Sequence, residues 1–305
     1  DSTPGDSFGP DGRVTTDFGD HENGRAVAIQ SDGKIVVAGY RGVTSSGQNV
    51  DFVLARYNTD GSLDDGSAND STPGDVFGTE GKVTTDFAGG EDEPRDIVIQ
   101  ADGKIVVAGS REFNGIPSFA VARYLPTGAP DLSFDVDGRV STAFNGDSFA
   151  NAVVVQSNGK IVAAGAVNFG LDGSNIALAR YNTNGSLDTS FGVNNNGRAF
   201  IDSGDNDEAK DVALQTDGKI VAAGFIGNFN VNNARFAVAR FQANGTADPS
   251  FGTGGMVTTD FGAFPGDFSA GINAVAVQSD GKIVVAGSTQ DNQFNSSDVV
   301  LARYL

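Results

Sequence analysis

Cysteine is absent from the 305-residue chain, so neither a disulfide framework nor a cysteine-based zinc site is possible. A single histidine, His21, excludes His-rich metal sites and any mechanism that needs two imidazoles. There is no tryptophan, one methionine and only nine prolines, so Pro-rich linkers are missing. No apolar run approaches the ~18 residues that a membrane-spanning helix needs. Basic residues are scarce, 20 against 39 acidic ones, which leaves a net charge of −19. Such a surface repels nucleic acid and anionic membrane, so neither nucleic-acid binding nor membrane insertion is expected.

Glycine is abundant, at 42 residues, and apolar residues make up 39 %, enough for a real core with many tight turns. The chain is an internal repeat. The segment Ala26 to Gly39, with Gln-Ser-Asp-Gly-Lys at its centre, recurs at Asp96 to Gly109, Ala152 to Gly165, Asp211 to Gly224 and Ala274 to Gly287. The turn lysines Lys34, Lys104, Lys160, Lys219 and Lys282 are spaced by 70, 56, 59 and 63 residues. A second anchor follows each: Leu54 to Tyr57, Val121 to Tyr124, Leu178 to Tyr181, Val238 to Phe241 and Leu301 to Tyr304. A third has the form Asp-Gly-Ser-Leu-Asp followed by Phe-Gly. The fourth is Val14 to Phe18, repeated at Val83 to Phe87 and Val257 to Phe261, with looser copies at Val140 to Phe144 and Ala199 to Ser203.

Each anchor reads as a short strand, rich in Val and Ile and bounded by Gly, Asp and Asn. Asp32-Gly33 between two apolar runs signals a tight hairpin, because Gly takes a positive φ at little cost. Lys34 to Gly39 is apolar on both faces and demands cover from both sides, which sheets stacked face to face provide. No helical period is visible. Four strands per unit, repeated radially, predict an all-β fold, a five-bladed β-propeller with four antiparallel strands per blade. Residues 1–305 then form one domain, with blades near 26–87, 96–144, 152–203, 211–261 and 274–305 plus 13–18. The chain opens on an outer strand, Val14 to Phe18, and closes on three strands without one. The ring is therefore expected to close by the N-terminal outer strand joining the C-terminal three, which removes two open edges. A start in mid-repeat also leaves open an excerpt of a longer array. Asp1-Ser-Thr-Pro-Gly-Asp6 recurs word for word at Asp70 to Asp75, and Asp65 to Asp70 is an insertion that lengthens the first spacing.

The repeated strings Gln-Ser-Asp-Gly-Lys-Ile-Val-Val-Ala-Gly, Ala-Arg-Tyr-Asn-x-Asp-Gly-Ser-Leu-Asp and Phe-Gly-x-x-Gly-x-Val-Thr-Thr-Asp-Phe resemble the delta-60 repeat, a bacterial β-propeller repeat. The resemblance covers almost the whole chain. It implies a propeller in a bacterial protein that is secreted or attached to the cell surface, and it implies no activity. Asn158 replaces the turn Asp in the third unit, a change a turn tolerates. No signal peptide is visible and no initiator Met is present, so a mature or trimmed form is expected.

Ten of the 20 basic residues are repeat anchors, the five turn lysines with Arg56, Arg123, Arg180, Arg240 and Arg303, and are read as architectural. Each mid-strand Arg is expected to pair with a carboxylate of the adjacent outer strand, such as Arg56 with Asp86, because an unpaired buried charge is costly. Ala143 takes that Asp place in the second blade, so Arg123 needs another partner. Gln30, Gln100, Gln156, Gln215 and Gln278 close the inner strands. Turn capping is preferred to a ring of glutamines at a channel mouth.

The loops that vary are those from outer to next inner strand and those from second to third strand, expected on one face. The first set is acidic and the second, as at Arg41 to Val50 and Gly227 to Ala234, is rich in Gly, Asn and Ser. Binding is placed on this face, as rigid scaffolds usually carry function on variable loops. Its acids, Asp20, Glu22, Glu91, Asp92, Glu93, Asp205, Asp207 and Glu208, suit Ca²⁺, which takes six to eight oxygen ligands. A solvated acidic surface explains them as well. The Asp spacing of Asn58 to Asp64 is equally that of a β-turn.

No catalytic residue is assigned. A Ser–His–Asp triad would have to use His21 in an acidic loop, and no Gly-x-Ser-x-Gly elbow occurs. Glycosidases on five-bladed propellers use carboxylates near the channel, and Asp96 and Asp211 are the candidates of that kind. The reading is a non-catalytic extracellular scaffold that presents its loops to a protein or glycan. Its rivals are a structural subunit self-assembling into a fibre or sheath and, ranked last, a carboxylate-dependent glycoside hydrolase.

Overall fold

Each repeat opens on a hairpin whose turn follows from its residues. The Gln30 N–H donates to the Lys34 carbonyl at 2.8 Å and the Gly33 N–H to the Gln30 carbonyl at 2.9 Å. Gly33 sits at φ +87°, the left-handed residue that completes a three-residue hairpin loop. Asp32 accepts the Lys34 N–H at 3.1 Å, and Asn158 does the same for Lys160 at 3.0 Å, so that replacement keeps the turn's hydrogen bond. The third anchor folds alike: Asn58 closes on Ser62, and Asp60 accepts the Ser62 N–H at 3.0 Å. The calcium-like spacing there is a turn.

The structure is a computed structural model that describes residues 8–9, 11–42, 50–68, 70–170, 173–227, 233–261, 268–291 and 297–305. The Asp1 to Asp6 hexapeptide and most of the loops Arg41 to Val50 and Gly227 to Ala234 lie outside the described residues. The chain divides into two compact units, Asp1–Ser141 and Thr142–Leu305. In the first, β1 (Glu22–Ile29), β2 (Ile35–Arg41), β3 (Asp51–Tyr57) and β4 (Lys82–Thr85) form one antiparallel meander. A second comprises β5 (Asp92–Ile99), β6 (Ile105–Phe113), β7 (Ile116–Tyr124) and β8 (Arg139–Thr142), whose last residue opens the second unit. That unit holds β9 (Asp147–Val155), β10 (Ile161–Asn168), β11 (Ser174–Tyr181) and β12 (Arg198–Ile201) in a third sheet. A fourth sheet is β13 (Asp207–Leu214), β14 (Ile220–Ile226), β15 (Arg235–Phe241) and β16 (Met256–Thr259). The fifth has three strands, β17 (Phe268–Val277), β18 (Ile283–Asp291) and β19 (Ser297–Tyr304).

The two-sided apolar strands β6, β10 and β14 are covered on both sides, as their composition requires, while β2 and β18 alternate buried and part-exposed residues. In the first unit Val36, Ala38, Phe52 and Leu54 pack with Ile97, Ile105, Val107 and Ala122 of the next sheet. In the second unit one cluster joins the third and fourth sheets and another the fourth and fifth. Inner strands are longer than their anchors suggest, because each crosses a β-bulge, at Gly24/Ala26, Pro94/Asp96, Ala209/Asp211 and Ile272/Ala274, with the equivalent shift opposite Ala164/Gly165. The bulge presses a carbonyl against a glycine inside each second strand. A Cβ on Gly165 would meet the Phe149 oxygen at 1.9 Å, and one on Gly224 the Glu208 oxygen at 1.9 Å. This close approach accounts for the glycine in every Ala-Gly anchor.

A hydroxyl pair ties three of the four outer strands, β4, β8 and β16, to a tyrosine of the sheet that follows. Thr85 Oγ1 lies 2.7 Å from Tyr124 Oη, Thr142 lies 2.8 Å from Tyr181, and Thr259 lies 2.7 Å from Tyr304. Thr16 meets Tyr57 in the same way at 2.6 Å. Residues 13–18 nevertheless form no strand, and β17–β19 stand as three. The ladder expected between the two chain ends is not seen among the described residues.

Candidate functional site

The repeated charges resolve first. Arg56 does not pair with Asp86. β3 and β4 are antiparallel with Phe52 opposite Thr85, so Asp86 falls beside Asp51, while the Arg56 N–H reaches the Gly81 carbonyl at the far end of β4. The partner is Asp64, eight residues on, folded back by the turn. Arg123 likewise binds Asp131 at 2.7 Å, Arg180 binds Asp188 at 2.7 Å, and Arg240 binds Asp248 at 2.8 Å. Arg123 thus has its carboxylate without the missing Asp at position 143. The turn lysine shares that carboxylate: Lys34 at 3.0 Å, Lys104 at 3.3 Å, Lys160 at 2.7 Å and, more loosely, Lys219 at 3.8 Å. Each guanidinium also stacks on the phenylalanine of its Phe-Gly anchor, Phe77, Phe134, Phe191 or Phe251, at 4.3–4.8 Å. Asp64, Asp131, Asp188 and Asp248 are buried. They belong to the structure, and they were visible as the final Asp of the third anchor.

The loop acids fall into separate small networks. Glu22 accepts the N–H groups of Phe18 and Asp20, at 2.9 and 3.0 Å, and Asp20 accepts that of His21. Glu93 lies 3.4 Å from Arg95 and 3.9 Å from Arg25. Glu91 sits near Glu93 and Glu112, and burial together with these like charges raises its carboxyl pKa. Asp205 accepts the Asn206 N–H, and Glu208 pairs with Lys210 at 2.6 Å. Both oxygens of the buried Asp207 are engaged by Ser203, one by its N–H and one by its hydroxyl. Burial, with Asp202 and Asp205 nearby, pushes Asp207 up to about 6 against those hydrogen bonds.

Of the eight acids expected to bind metal, only Asp92 belongs to a three-carboxylate cluster among the described residues. It joins Asp51 and Asp86, one oxygen of each lying within 4.8 Å of the others. Asp51 begins β3, Asp86 follows β4 and Asp92 begins β5, so the cluster bridges the first and second sheets inside one compact unit. Asp92 is fully buried; its Oδ2 accepts the Phe87 N–H at 2.7 Å, and its Oδ1 has no hydrogen-bond partner. Burial, with the Asp86 and Asp51 charges, pushes the Asp92 carboxyl up to about 7 despite that hydrogen bond and the Arg111 charge. Burial and Asp86 also raise Asp51, although Arg41 stands 3.4 Å away. An oxygen-only donor set of this kind suits a hard divalent cation. Asp51 and Asp86 escaped the reading of single loops. Superposing the repeats exposes them, because the place of Asp51 is taken in turn by Ser118, Asn175, Arg235 and Asp298.

The hydrolase candidates are structural in their contacts. Asp211 accepts the Val212 N–H and, from the neighbouring sheet, the Val275 N–H, both at 2.7 Å. Asp96 accepts the Ile97 N–H at 2.8 Å. The glutamines close their turns through the backbone, and the Gln215 amide also reaches the Gly281 carbonyl at 2.8 Å.

Five antiparallel sheets built from one repeated meander define a repeat protein of the propeller class. The family described as domain of unknown function (DUF5122) beta-propeller matches residues 30–66, 100–134, 156–191, 215–251 and 278–305, and the chain belongs to that family. No curated protein matches the sequence. Among solved structures, an unknown-function protein from Dyadobacter fermentans is similar at 14 % identity and a TM-score of 0.49, over 92 % of this chain and 83 % of that one. A catalytically inactive virginiamycin B lyase from Staphylococcus aureus with quinupristin gives 12 % and 0.48, over 93 % and 71 %. An endo-arabinase from Bacteroides thetaiotaomicron gives 12 % and 0.45, over 92 % and 93 %. Likeness at this level carries no chemistry to the present chain.

Proposed function

We propose that the chain is a non-catalytic, extracellular β-propeller scaffold of the delta-60 type, which binds a protein or glycan through its variable loops. One observation carries the reading. In the first four repeats the recurring Arg and Lys are engaged in structural pairs with one buried Asp, while the differences between repeats gather where two loop classes meet. In the first unit the Gly42 N–H bonds the His21 carbonyl at 2.9 Å and the Val50 N–H the Gly90 carbonyl at 3.0 Å. In the second the Gly227 N–H bonds the Asn206 carbonyl at 2.8 Å. The uniform Asp-Gly turns lie at the opposite strand ends. Residues 13–18 are read as the outer strand of the fifth blade, a reading supported by the Thr16–Tyr57 pair, which copies the pairs made by true outer strands.

Binding of the full chain to a panel of bacterial polysaccharides and surface proteins tests the proposal, together with light scattering. Saturable binding by a monomer, weakened by Glu91→Lys or Glu112→Lys, is the expected result. Release of saccharide fragments that Asp211→Asn or Asp96→Asn abolishes would replace the scaffold with a hydrolase. Mass that grows with concentration would replace it with a self-assembling subunit.

A further inference from the structure

We propose that Asp51, Asp86 and Asp92 hold a Ca²⁺ ion that ties the first sheet to the second. The carboxylates supply oxygen donors only, the preference of Ca²⁺. Asp51 and Asp86 follow one another across the β3–β4 ladder, an arrangement of like charges that is destabilising unless compensated. The buried Asp92 adds a third carboxylate with one oxygen unpartnered. No neighbouring cation hydrogen-bonds that oxygen, although the Arg111 charge acts on the Asp92 carboxyl. Arg41 reaches only Asp51, and Arg111 donates to the Phe87 carbonyl at 2.9 Å and stacks on Phe113. Glu91, Glu93 and Glu112 add negative charge nearby, against Arg25 and Arg95 at the Glu93 side.

The second, third and fourth repeats treat the same three positions differently, and in each the difference answers the charge; the fifth keeps acids there, Asp298, Asp17 and Glu22. In the second repeat they are Ser118, Ala143 and Ser148, with no charge at all. In the third they are Asn175, Asp202 and Asp207, and Ser203 occupies both oxygens of Asp207. In the fourth, Arg235 stands at the Asp51 position, next to Phe236, which faces Thr259, so a built-in cation lies across from Asp260. Among these four sites only the first combines three carboxylates with a buried oxygen left free. A bound cation does for it what Arg235 does in the fourth repeat.

The experiment titrates CaCl₂ into the metal-free full chain by calorimetry and compares thermal unfolding in calcium with that in a calcium chelator. Wild type is expected to bind saturably and to unfold at a higher temperature in calcium. Asp92→Asn should lose the binding and the shift. Asp51→Arg, which installs the solution of the fourth repeat, should also lose the calcium response, while unfolding in chelator no earlier than wild type does. An Asp205→Asn/Glu208→Gln variant should keep the full response. Absence of calcium binding by wild type overturns the proposal, whether or not either variant folds. Binding that survives in both Asp92→Asn and Asp51→Arg overturns it too, by placing the ion elsewhere.

Discussion

Asp131 carries two cations, Arg123 at 2.7 Å and Lys104 at 3.3 Å, and it is buried. Burial alone would raise its pKa, but the Ser133 hydroxyl and N–H, with the Arg123 and Lys104 charges, outweigh burial and bring it down to about 2. The unfolded carboxyl titrates near ~3.9, so between these values the unfolded chain binds more protons than the folded one. The stability contributed by Asp131 is therefore complete above about pH 4 and is lost as pH falls towards 2. Asp188 is lowered in the same direction and for like reasons. Asp131→Asn should cost about 3–5 kcal/mol at neutral pH, the scale of breaking a buried pair from one side. Its deficit against wild type should shrink below pH 4, as read by urea unfolding across the acid range. A deficit independent of pH would mean that packing, not charge, holds Arg123. The existence of this network was legible in the sequence, since every repeat keeps its Arg and Lys. Its partner was not, because Asp86 would sit beside Arg56 only if β4 slid by five residues, whereas Asp64 is brought back by a turn whose course the strand pattern does not show.

At the scale of the strand, the hydroxyl pairs offer a built-in control. Where the other sheets pair Thr with Tyr, the third outer strand and the fourth repeat place Ile201 and Phe241, both buried in one apolar cluster. Two partners have changed together, from hydrogen-bonded to apolar. Tyr181→Phe should strand the Thr142 hydroxyl, which is 1 % exposed, and cost about 1–3 kcal/mol. Adding Thr142→Ile should recover most of that loss in the same denaturant titration. A double variant no better than the single one would show that the Ile201 site differs in shape as well as polarity. The bulge glycines make the opposite case, with no tolerated substitute. Gly165→Ala should cost at least about 1–3 kcal/mol, because the Phe149 carbonyl must move with its strand. A melting temperature unchanged by Gly165→Ala would deny the close approach. The sequence marked these glycines only as the end of an anchor; the bulge that requires them leaves no pattern of its own, since the extra residue is Arg25, Arg95, Asn151, Lys210 or Asn273.

For the whole molecule, five sheets and their meander order were legible because period and turn chemistry agree in every repeat, whereas the fourth strand of the last sheet was not found among the described residues. The three carboxylates proposed to hold calcium were not legible, since they come from separate places along the chain and from two sheets, and only Asp92 lies in a conspicuous acidic loop. The chain ends pose the remaining question. Residues 13–18 touch the first sheet through Thr16 on Tyr57, through Lys82 donating to the Asp17 carbonyl at 2.6 Å, and through Lys82 over the Phe18 ring. On β19, Val299 and Leu301 are 87 % and 65 % exposed, an apolar strand edge of the kind proteins ordinarily cover. If residues 13–18 serve as an outer strand, a chain lacking residues 1–18 should lose far more stability than Tyr57→Phe does, and should associate through its uncovered edge. Thermal unfolding and light scattering on the two variants decide this. A truncated chain that stays monomeric and melts with Tyr57→Phe would reduce the segment to a local clasp on β3 and β4, and the blade it was assigned to would remain one of three strands.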